Sequence, residues 1–268
     1  NQLAVVGSDG DLSDAEMHTV AAGMDYSETT FIESDASPYR VCIFTPEAEI
    51  PFAGHPTLGT AAVIREEIAD RAPDEVVLDL NVGEVPVRMD ENGETLWMTQ
   101  QPPEFGEQLA HDRLSAVLGL DGSARDADWP VQIVSTGLPT IVAPLADRTA
   151  LTAIDVDRDA YDEVTSDRDI KNVLAFCLDP RSDENDVAVR VFAPFYGVPE
   201  DPATGSSNGC LAGYLARHRY TRSDNVSARV EQGYEMGRPS LIELASTDRG
   251  DEVEIEVSGR VVPVARRR

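Results

Sequence analysis

The sequence has 268 residues, of which 49 are Asp or Glu and 22 are Lys or Arg, so its formal net charge is −27. A nucleic-acid-binding protein needs a basic face that neutralises phosphates, and this charge excludes that class. Binding to an anionic membrane surface is excluded for the same reason. A hydrophobic content of 41% with 26% charged residues is typical of a globular protein rather than a disordered one.

Length and cysteine content narrow the possibilities further. At roughly 150 residues per domain, the chain has room for two domains. Its apolar runs are far shorter than the ~20 residues that span a bilayer, and its first residues lack the pattern of a signal peptide. The three cysteines, Cys42, Cys177 and Cys210, cannot all pair within one chain. We therefore expect reduced thiols and a cytoplasmic protein.

The acidic residues are spread along the whole chain, which indicates a solvated acidic surface rather than a site. Such a charge destabilises a compact state in dilute buffer, because like charges repel. At ~1 M salt the Debye length falls to about 3 Å and most of the repulsion disappears. Lys171 is the only lysine, beside 21 arginines. We therefore expect a halophilic protein, adapted to a salt-rich cytoplasm.

Apolar periodicity and turn residues predict the elements of the first half. Ser13-Asp14-Ala15-Glu16 is a capping box, and Asn92-Gly93 is a hairpin turn. The predicted elements are a helix over 14–23, strands over 28–34 and 39–45, a helix over 56–69, strands over 75–80, 84–89 and 95–100, and a short helix over 109–118. The polar stretch 121–128 is the predicted linker.

The second half is predicted to repeat this order. Its predicted elements are strands over 130–135 and 140–144, a helix over 157–165, strands over 172–178 and 187–193, a helix over 206–219, and strands over 226–232, 240–245 and 252–257.

A short motif occurs twice, at an offset of 148 residues. Residues 44–51 read F-x-P-x-x-x-I-P and residues 192–199 read F-x-P-x-x-x-V-P. Each copy follows a strand and precedes a helix, so four matching positions without a gap indicate an internal duplication. We expect domains over 1–118 and 119–268, with a C-terminal strand at about 252–268 that returns to the first domain. Compared with the second copy, the first lacks its opening strand, so we expect the sequence to start inside the first repeat.

Two predicted helix starts offer sites for an anion. Gly54-His55-Pro56 and Gly205-Ser206 each begin a helix, where unpaired N–H groups and the macrodipole favour a substrate carboxylate. Glycine lets a ligand approach the backbone closely. Taken alone, however, Asp201 indicates a helix cap, and a lone histidine such as His55 more often caps or packs than reacts.

Other motifs are weaker. Glu28 opens a predicted strand, and in so acidic a chain a solvated strand end is the simplest interpretation. Ser206 lacks the G-x-S-x-G elbow of an acyl-transfer nucleophile. The sequence has no His/Cys/Asp cluster with metal spacing, no G-x-G-x-x-G after a strand and no P-loop. We therefore expect neither a metal nor a cofactor.

Four motifs together resemble the PhzF family of phenazine-biosynthesis-like proteins. They stand in the family's order and span nearly the whole chain: residues 27–31 (SETTF), 52–61 (FAGHPTLGTA), 200–206 (EDPATGS) and 232–240 (QGYEMGRPS). The resemblance implies an α+β fold of two pseudo-symmetric diaminopimelate-epimerase-like domains. Each domain is a mostly antiparallel sheet wrapped around a central helix, and the active site lies in the cleft between the domains.

The resemblance also implies a cofactor-independent isomerase that acts on a small carboxylate-bearing substrate and forms a homodimer. Carried over by motif, Glu28 is the general acid and base, as the family's glutamate is on a cyclohexadiene amino acid. His55 and Asp201 hold polar groups of the substrate or relay protons. Gly54 and Gly205 supply amides for the substrate carboxylate, and Ser206 lines the same pocket.

Two alternatives stay open at this point. Diaminopimelate epimerase is similar in fold but is a two-base enzyme with a thiol at each helix start. Here those starts carry His55 and Ser206, and Cys210 lies five residues into its helix, which disfavours a thiol racemase. A non-catalytic homologue that binds a small molecule is the second alternative. The substrate itself is not specified, because members of this family differ in what they act on.

We predict that molar KCl stabilises the protein against heat, because it screens the repulsion among the carboxylates. For a chain of this size, each 1 kcal/mol of stabilisation raises Tm by roughly 2–4 °C. Thermal unfolding followed by circular dichroism from low salt to molar KCl measures the effect. A Tm that does not rise with KCl contradicts the prediction.

Overall fold

The structure, a computed structural model, describes residues 1–8, 12–24, 26–220, 222, 225–248 and 253–265. It divides into two compact units, one formed by Asn1–Thr99 with Ser258–Arg268 and the other by Gln100–Val257. Both units combine strands with buried helices, so the predicted α+β fold class is confirmed.

The first unit contains the elements predicted up to residue 100 in their predicted order, together with two further strands. Glu16 accepts hydrogen bonds from the N–H and Oγ of Ser13 at 2.9 and 2.7 Å, in agreement with the predicted cap. The sheet order is β1-β2-β3-β5-β6-β7, with β4 beside β3. The elements are β1 (Leu3–Gly7), α1 (Asp14–Met24), β2 (Glu28–Ile32), β3 (Tyr39–Phe44), β4 (Glu49–Ile50), α2 (Gly54–Val63) with a π-helical turn at Ile64–Ile68, β5 (Glu75–Leu80), β6 (Gly83–Met89) and β7 (Leu96–Gln100).

The second unit has the sheet order β16-β15-β14-β12-β11-β10-β9-β8, with β13 beside β12. Its elements are β8 (Glu104–Leu109), α3 (His111–Val117), β9 (Val131–Ser135), β10 (Thr140–Pro144), α4 (Arg148–Thr152), α5 (Arg158–Thr165), β11 (Asn172–Cys177), β12 (Val187–Ala193), β13 (Val198–Asp201), α6 (Gly205–Arg217), β14 (Val226–Gln232), β15 (Ser240–Asp248) and β16 (Val253–Gly259). Residues 252 and 266–268 of the predicted C-terminal strand lie outside the described residues.

The two units share one pattern of strand pairing. In the first, β1–β2 is parallel, β2–β3 and β3–β4 are antiparallel, and β3–β5 is parallel. In the second, the same relations hold in the same order for β10–β11, β11–β12, β12–β13 and β12–β14. The antiparallel pairs β5–β6 and β14–β15 extend the match. The duplication predicted from the repeated motif thus extends to the pairing of the strands.

A buried helix lies at the centre of each unit. In α2 the residues from 56 to 62 are buried, and the helix packs against β1, β2, β5 and β6. In α6 the residues from 206 to 216 are buried, and the helix packs against β9, β10, β11, β14 and β15. Small residues permit this close packing: a Cβ at Gly59 would collide with Leu3, and one at Gly213 would lie 2.8 Å from Pro103.

The division between the units differs from the predicted boundary after residue 118. Strand β8 pairs with β9, which places residues 104–118 with the second unit. The predicted linker 121–128 does not separate the units either. The N–H of Asp126 donates to the carbonyl of Pro144, and the N–H of Ala146 donates to that of Ala124, so this stretch is bonded to the end of β10.

Glu231 of β14 is a buried carboxylate that holds a loop. It is 1% exposed and accepts hydrogen bonds from the N–H of Arg181 at 2.7 Å, the N–H of Ser182 at 2.9 Å and the amide of Asn185 at 2.7 Å. Burial alone raises the pKa of Glu231. The three hydrogen bonds and the charge of Arg181 outweigh burial, so its pKa is lowered from the ordinary value of 4.5.

We predict that Glu231→Gln destabilises the protein by about 2 kcal/mol at pH 7, because the buried donors lose a charged acceptor. A lowered folded pKa gives stability that is present above the unfolded pKa and is lost as pH falls through the folded pKa. The difference between wild type and variant should therefore shrink below about pH 4.5.

Urea unfolding in molar KCl between pH 7 and pH 4 measures this difference. The matched control is Glu91→Gln, which makes the same charge change at an exposed turn and should alter the free energy of unfolding by less than about 0.5 kcal/mol. Equal losses in the two variants would refute the assignment.

Candidate functional site

Glu28 is the first residue of β2, where it pairs with Leu3 of β1. Side chains alternate along a strand, so Glu28 and Thr30 share a face. The Oγ1 of Thr30 lies 2.7 Å from the Oγ1 of Thr60 in α2, which shows that this face is turned toward the buried helix. The strand therefore aims the carboxylate of Glu28 at α2, and the side chain is only 18% exposed.

His55, the second residue of α2, meets this carboxylate. Its Nε2 lies 3.3 Å from Oε2 of Glu28 and 3.4 Å from the main-chain oxygen of Gln2. A carboxylate and an imidazole at this separation can hold a proton between them or pass one on. The structure thus brings together two residues of different motifs, 27 positions apart in the sequence.

The start of α2 presents its positive end beside this pair. Ala53 precedes the helix in an extended conformation and gives it no side-chain cap. The carbonyl of Ala53 accepts two hydrogen bonds from Thr57, one from the main-chain N–H at 3.3 Å and one from Oγ1 at 2.7 Å. None of the four residues from 54 to 57 is acidic, so no carboxylate of the first turn neutralises the helix dipole.

Asp201 is the last residue of β13 and pairs with Val191 of β12. Its Oδ2 accepts a hydrogen bond from the Oγ1 of Thr204 at 2.6 Å. Its main-chain oxygen accepts one from the side-chain amide of Gln232 at 2.6 Å. Both the backbone and the carboxylate of Asp201 are therefore fixed immediately before α6.

Gly205 and Ser206 are the first two residues of α6. The carbonyl of Gly205 accepts from the side-chain amide of Gln100 at 2.9 Å, and Ser206 is only 3% exposed. The next residue, Ser207, contacts Thr140 of β10 through their hydroxyls at 3.1 Å. The helix start is thus anchored to the sheet by small polar side chains.

The predicted site residues form two clusters, one in each unit. Glu28, Gly54 and His55 come together in the first unit, and Asp201, Gly205 and Ser206 come together in the second.

Sequence reasoning gave no role to Thr204, which lies inside a motif quoted for the resemblance, or to Gln232, which begins another. A glycine follows Gln232 directly, and a glycine at the end of a strand indicates a turn with close backbone packing. Gly233 has φ +79, and a Cβ there would collide with the carbonyl oxygen of Arg238.

The three cysteines are free and buried. Burial is the main cause that raises the pKa of Cys42 to about 12 and that of Cys177 to about 11, and it also raises the pKa of Cys210. A thiol acts as a nucleophile or base only as the thiolate. These thiols therefore have the character of core residues.

The described residues were compared with the requirements of a metal site and of a membrane-spanning helix. Within those residues, no group of three or more His, Cys, Asp or Glu side chains is arranged to hold a metal ion. In the same ranges, no helix combines the length and the apolar character needed to cross a membrane.

Comparisons with known proteins identify relatives over nearly the whole length. The family model of the phenazine biosynthesis-like proteins, PhzC-PhzF, matches residues 1–267. The chain is 34% identical to trans-2,3-dihydro-3-hydroxyanthranilate isomerase of Pseudomonas aeruginosa, over 97% of this chain and 90% of the relative. It is 32% identical to an uncharacterized isomerase of Deinococcus radiodurans, over 97% of this chain and 86% of the relative.

A solved structure shows the same fold. The PhzF-family phenazine biosynthesis protein of Bacillus anthracis matches with a TM-score of 0.85 at 24% identity, over 97% of this chain and 90% of that one. This likeness confirms the predicted fold, and the relatives confirm the predicted enzyme class, an isomerase. Because the family model covers the chain almost from end to end, the chain belongs to the PhzC-PhzF family of phenazine biosynthesis-like proteins.

Proposed function

We propose that this isomerase moves a proton on a small carboxylate-bearing substrate without a cofactor, with Glu28 as general acid and base. The observation that carries the proposal is the 3.3 Å contact between Glu28 and His55 at the start of α2. A helix start suits a substrate carboxylate. The relative of Pseudomonas aeruginosa is named for trans-2,3-dihydro-3-hydroxyanthranilate, which makes that compound the first substrate to test.

In the proposed reaction, the carboxylate of Glu28 removes a proton from a substrate carbon, and the electron pair of that C–H bond enters the adjacent π system. The protonated Glu28 then gives the proton to a different carbon, where a new C–H bond forms. A double bond shifts, the carboxylate is regenerated and the composition of the substrate is unchanged. The cycle consumes no electron acceptor.

The other site residues take the roles that the motifs imply. The main-chain amides of Gly54 and Gly205 bind the substrate carboxylate. Ser206 lines the pocket, and Asp201 and His55 hold polar groups of the substrate or relay protons. His55 is the best placed for a relay, because its imidazole already contacts the carboxylate that moves the proton.

The duplicated register supports one base rather than two. Asn172 opens β11 and holds the same place in the β10–β11 pairing that Glu28 holds in β1–β2. Its amide is not a base. The helix starts differ in the same way, with His55 in the first unit and Ser206 in the second. A two-base epimerase needs a base in each of two positions, and these equivalent positions supply a carboxylate only in the first unit.

The proposal also covers the solvent in which the enzyme works and its oligomeric state. The charge of −27 supports a salt-rich cytoplasm, where the repulsion among carboxylates is screened. We also propose a homodimer, which sedimentation in molar KCl tests directly. Neither nucleic acid nor an anionic membrane is a suitable partner for so acidic a chain.

We predict that Glu28→Gln lowers kcat by about 10²–10⁴-fold and leaves substrate affinity within a few-fold, because the amide keeps the shape but cannot accept the proton. Turnover and binding of trans-2,3-dihydro-3-hydroxyanthranilate in molar KCl measure both quantities. The matched control is the exposed Glu91→Gln, which should keep wild-type turnover.

Proton NMR in D₂O separates the alternatives. A single base that returns the proton it removed leaves some protium in the product, whereas two bases give full deuteration. A panel of cyclic and amino-acid substrates that wild type binds but neither turns over nor exchanges would favour the non-catalytic binder. Wild-type turnover by Glu28→Gln would refute Glu28 as the base.

We predict that iodoacetamide leaves the native enzyme active, because the three thiols are buried and their pKa values are raised. Mass spectrometry should show slow labelling of the folded protein and threefold labelling of the unfolded chain. Activity lost in step with the labelling of one cysteine would favour the thiol racemase instead.

A further inference from the structure

A chain of hydrogen bonds ends on the carboxylate of Asp201. It starts at Gln232, the last residue of β14, which is 1% exposed. The Nε2 of Gln232 donates to the Oγ1 of Thr204 at 2.9 Å, and that hydroxyl donates to the Oδ2 of Asp201 at 2.6 Å. A hydroxyl has one proton, and an ionised carboxylate can only accept, so the chain runs in one direction from amide to carboxylate.

Every hydrogen-bond donor and acceptor position of the Gln232 side-chain amide is used. Its second Nε2 proton goes to the main-chain oxygen of Asp201 at 2.6 Å. Its Oε1 accepts from the N–H of Thr204 at 3.3 Å and from the side chain of Asn208 at 2.8 Å. Two donors and two acceptor positions are therefore all used, and a glutamate here would have no proton to donate.

Thr204 occupies the N-cap position of α6, yet its side chain makes no capping hydrogen bond to the helix. A threonine at this position ordinarily stabilises the helix by accepting from an N–H of the first turn. Here its proton goes to Asp201 instead. The side chain is thus arranged around the carboxylate rather than around the end of the helix.

The backbone next to Gln232 also packs against the segment that follows Asp201. Gly233 has φ +79, and a Cβ at this position would lie 2.8 Å from the carbonyl oxygen of Pro202. The turn after β14 therefore sits directly on the residue that follows Asp201.

We propose that Thr204 and Gln232 are positioning residues that fix the orientation of the Asp201 carboxylate. The inference rests on the proposed function, in which Asp201 contacts the substrate. Two variants of Thr204 separate the hydroxyl from the shape of the side chain: Thr204→Ser keeps the hydroxyl, and Thr204→Val keeps the shape.

The first measurement needs no substrate. In protein labelled with ¹³C at aspartate carboxyls, the signal of Asp201 is the one that disappears in Asp201→Asn. We expect Thr204→Ser to leave this signal near its wild-type shift and Thr204→Val to move it. The control is Thr165→Val, which removes a hydroxyl bonded to the carbonyl of Tyr161 in α5 at 2.9 Å, and it should not move the signal.

The second measurement is turnover of trans-2,3-dihydro-3-hydroxyanthranilate in molar KCl. We expect Thr204→Val to lower kcat by roughly 10–100-fold, the size of effect that misplacing a site group produces. Thr204→Ser should restore kcat to near wild type. In the Asp201→Asn background, Thr204→Val should cause no further loss, because a positioning residue acts only through its partner.

Several results would overturn the proposal. An unmoved ¹³C signal in Thr204→Val does so, and so does a loss of kcat that adds in full to that of Asp201→Asn. If wild type fails to turn over the probe, the proposed function is in question, and the ¹³C comparison still decides whether Thr204 orients Asp201.

Discussion

The burial of a central helix from its first turn onward is the constraint on which each unit depends. A helix start carries main-chain N–H groups that its own helix cannot satisfy, and α6 is buried from Ser206, its second residue, onward. Partners must therefore come from the protein itself. Gln232 supplies one, because its Oε1 accepts from the N–H of Thr204 at 3.3 Å. Gln100 holds the same turn from another side, where its amide donates to the carbonyl of Gly205 at 2.9 Å. The same requirement explains Gly209, where a Cβ would take the place of the Gln100 side chain.

The two copies of the fold show why such a scaffold can carry different chemistry. Register is set by main-chain hydrogen bonds and by which face of a strand is buried, so a side chain at a strand end can change without altering the pairing. Glu28 and Asn172 open equivalent strands with equivalent partners, and one is a carboxylate while the other is an amide. The chemistry of a side chain at such a strand end can thus change while the sheet keeps its pairing.

Much of the fold follows from sequence, because the pattern is strong where burial is complete. Strands β5, β10, β12 and β14 have the bounds that alternation and apolar runs predict. Strand β8 was missed because Glu104–Leu109 is polar and mostly exposed, and β4 and β13 because they are only two and four residues long. The linker was misplaced because a polar composition does not reveal that residues 124 and 126 bond to the end of β10.

The candidate site was predictable in a different sense. Motifs located Glu28, His55 and Asp201, but no local pattern reveals that β2 brings Glu28 within 3.3 Å of His55, because 27 positions of sequence separate them. The hydrogen bond between Thr204 and Gln232 was not predicted for the same reason. Their partnership joins β14 to the end of β13, and only the pairing of both strands with β12 makes it visible.

The distribution of acidic residues supplies a last argument about the helix starts. Carboxylates stabilise the first turn of a helix, and this chain uses them there in α1 with Asp14 and Glu16, in α3 with Asp112 and in α5 with Asp159. The first turns of α2, α4 and α6 carry none, although the chain has 49 acidic residues to place. A built-in carboxylate there would compete with an incoming one for the same N–H groups. The carboxylates beside the starts of α2 and α6, those of Glu28 and Asp201, come instead from the ends of strands β2 and β13, so the first turns themselves keep their N–H groups clear of a built-in acid.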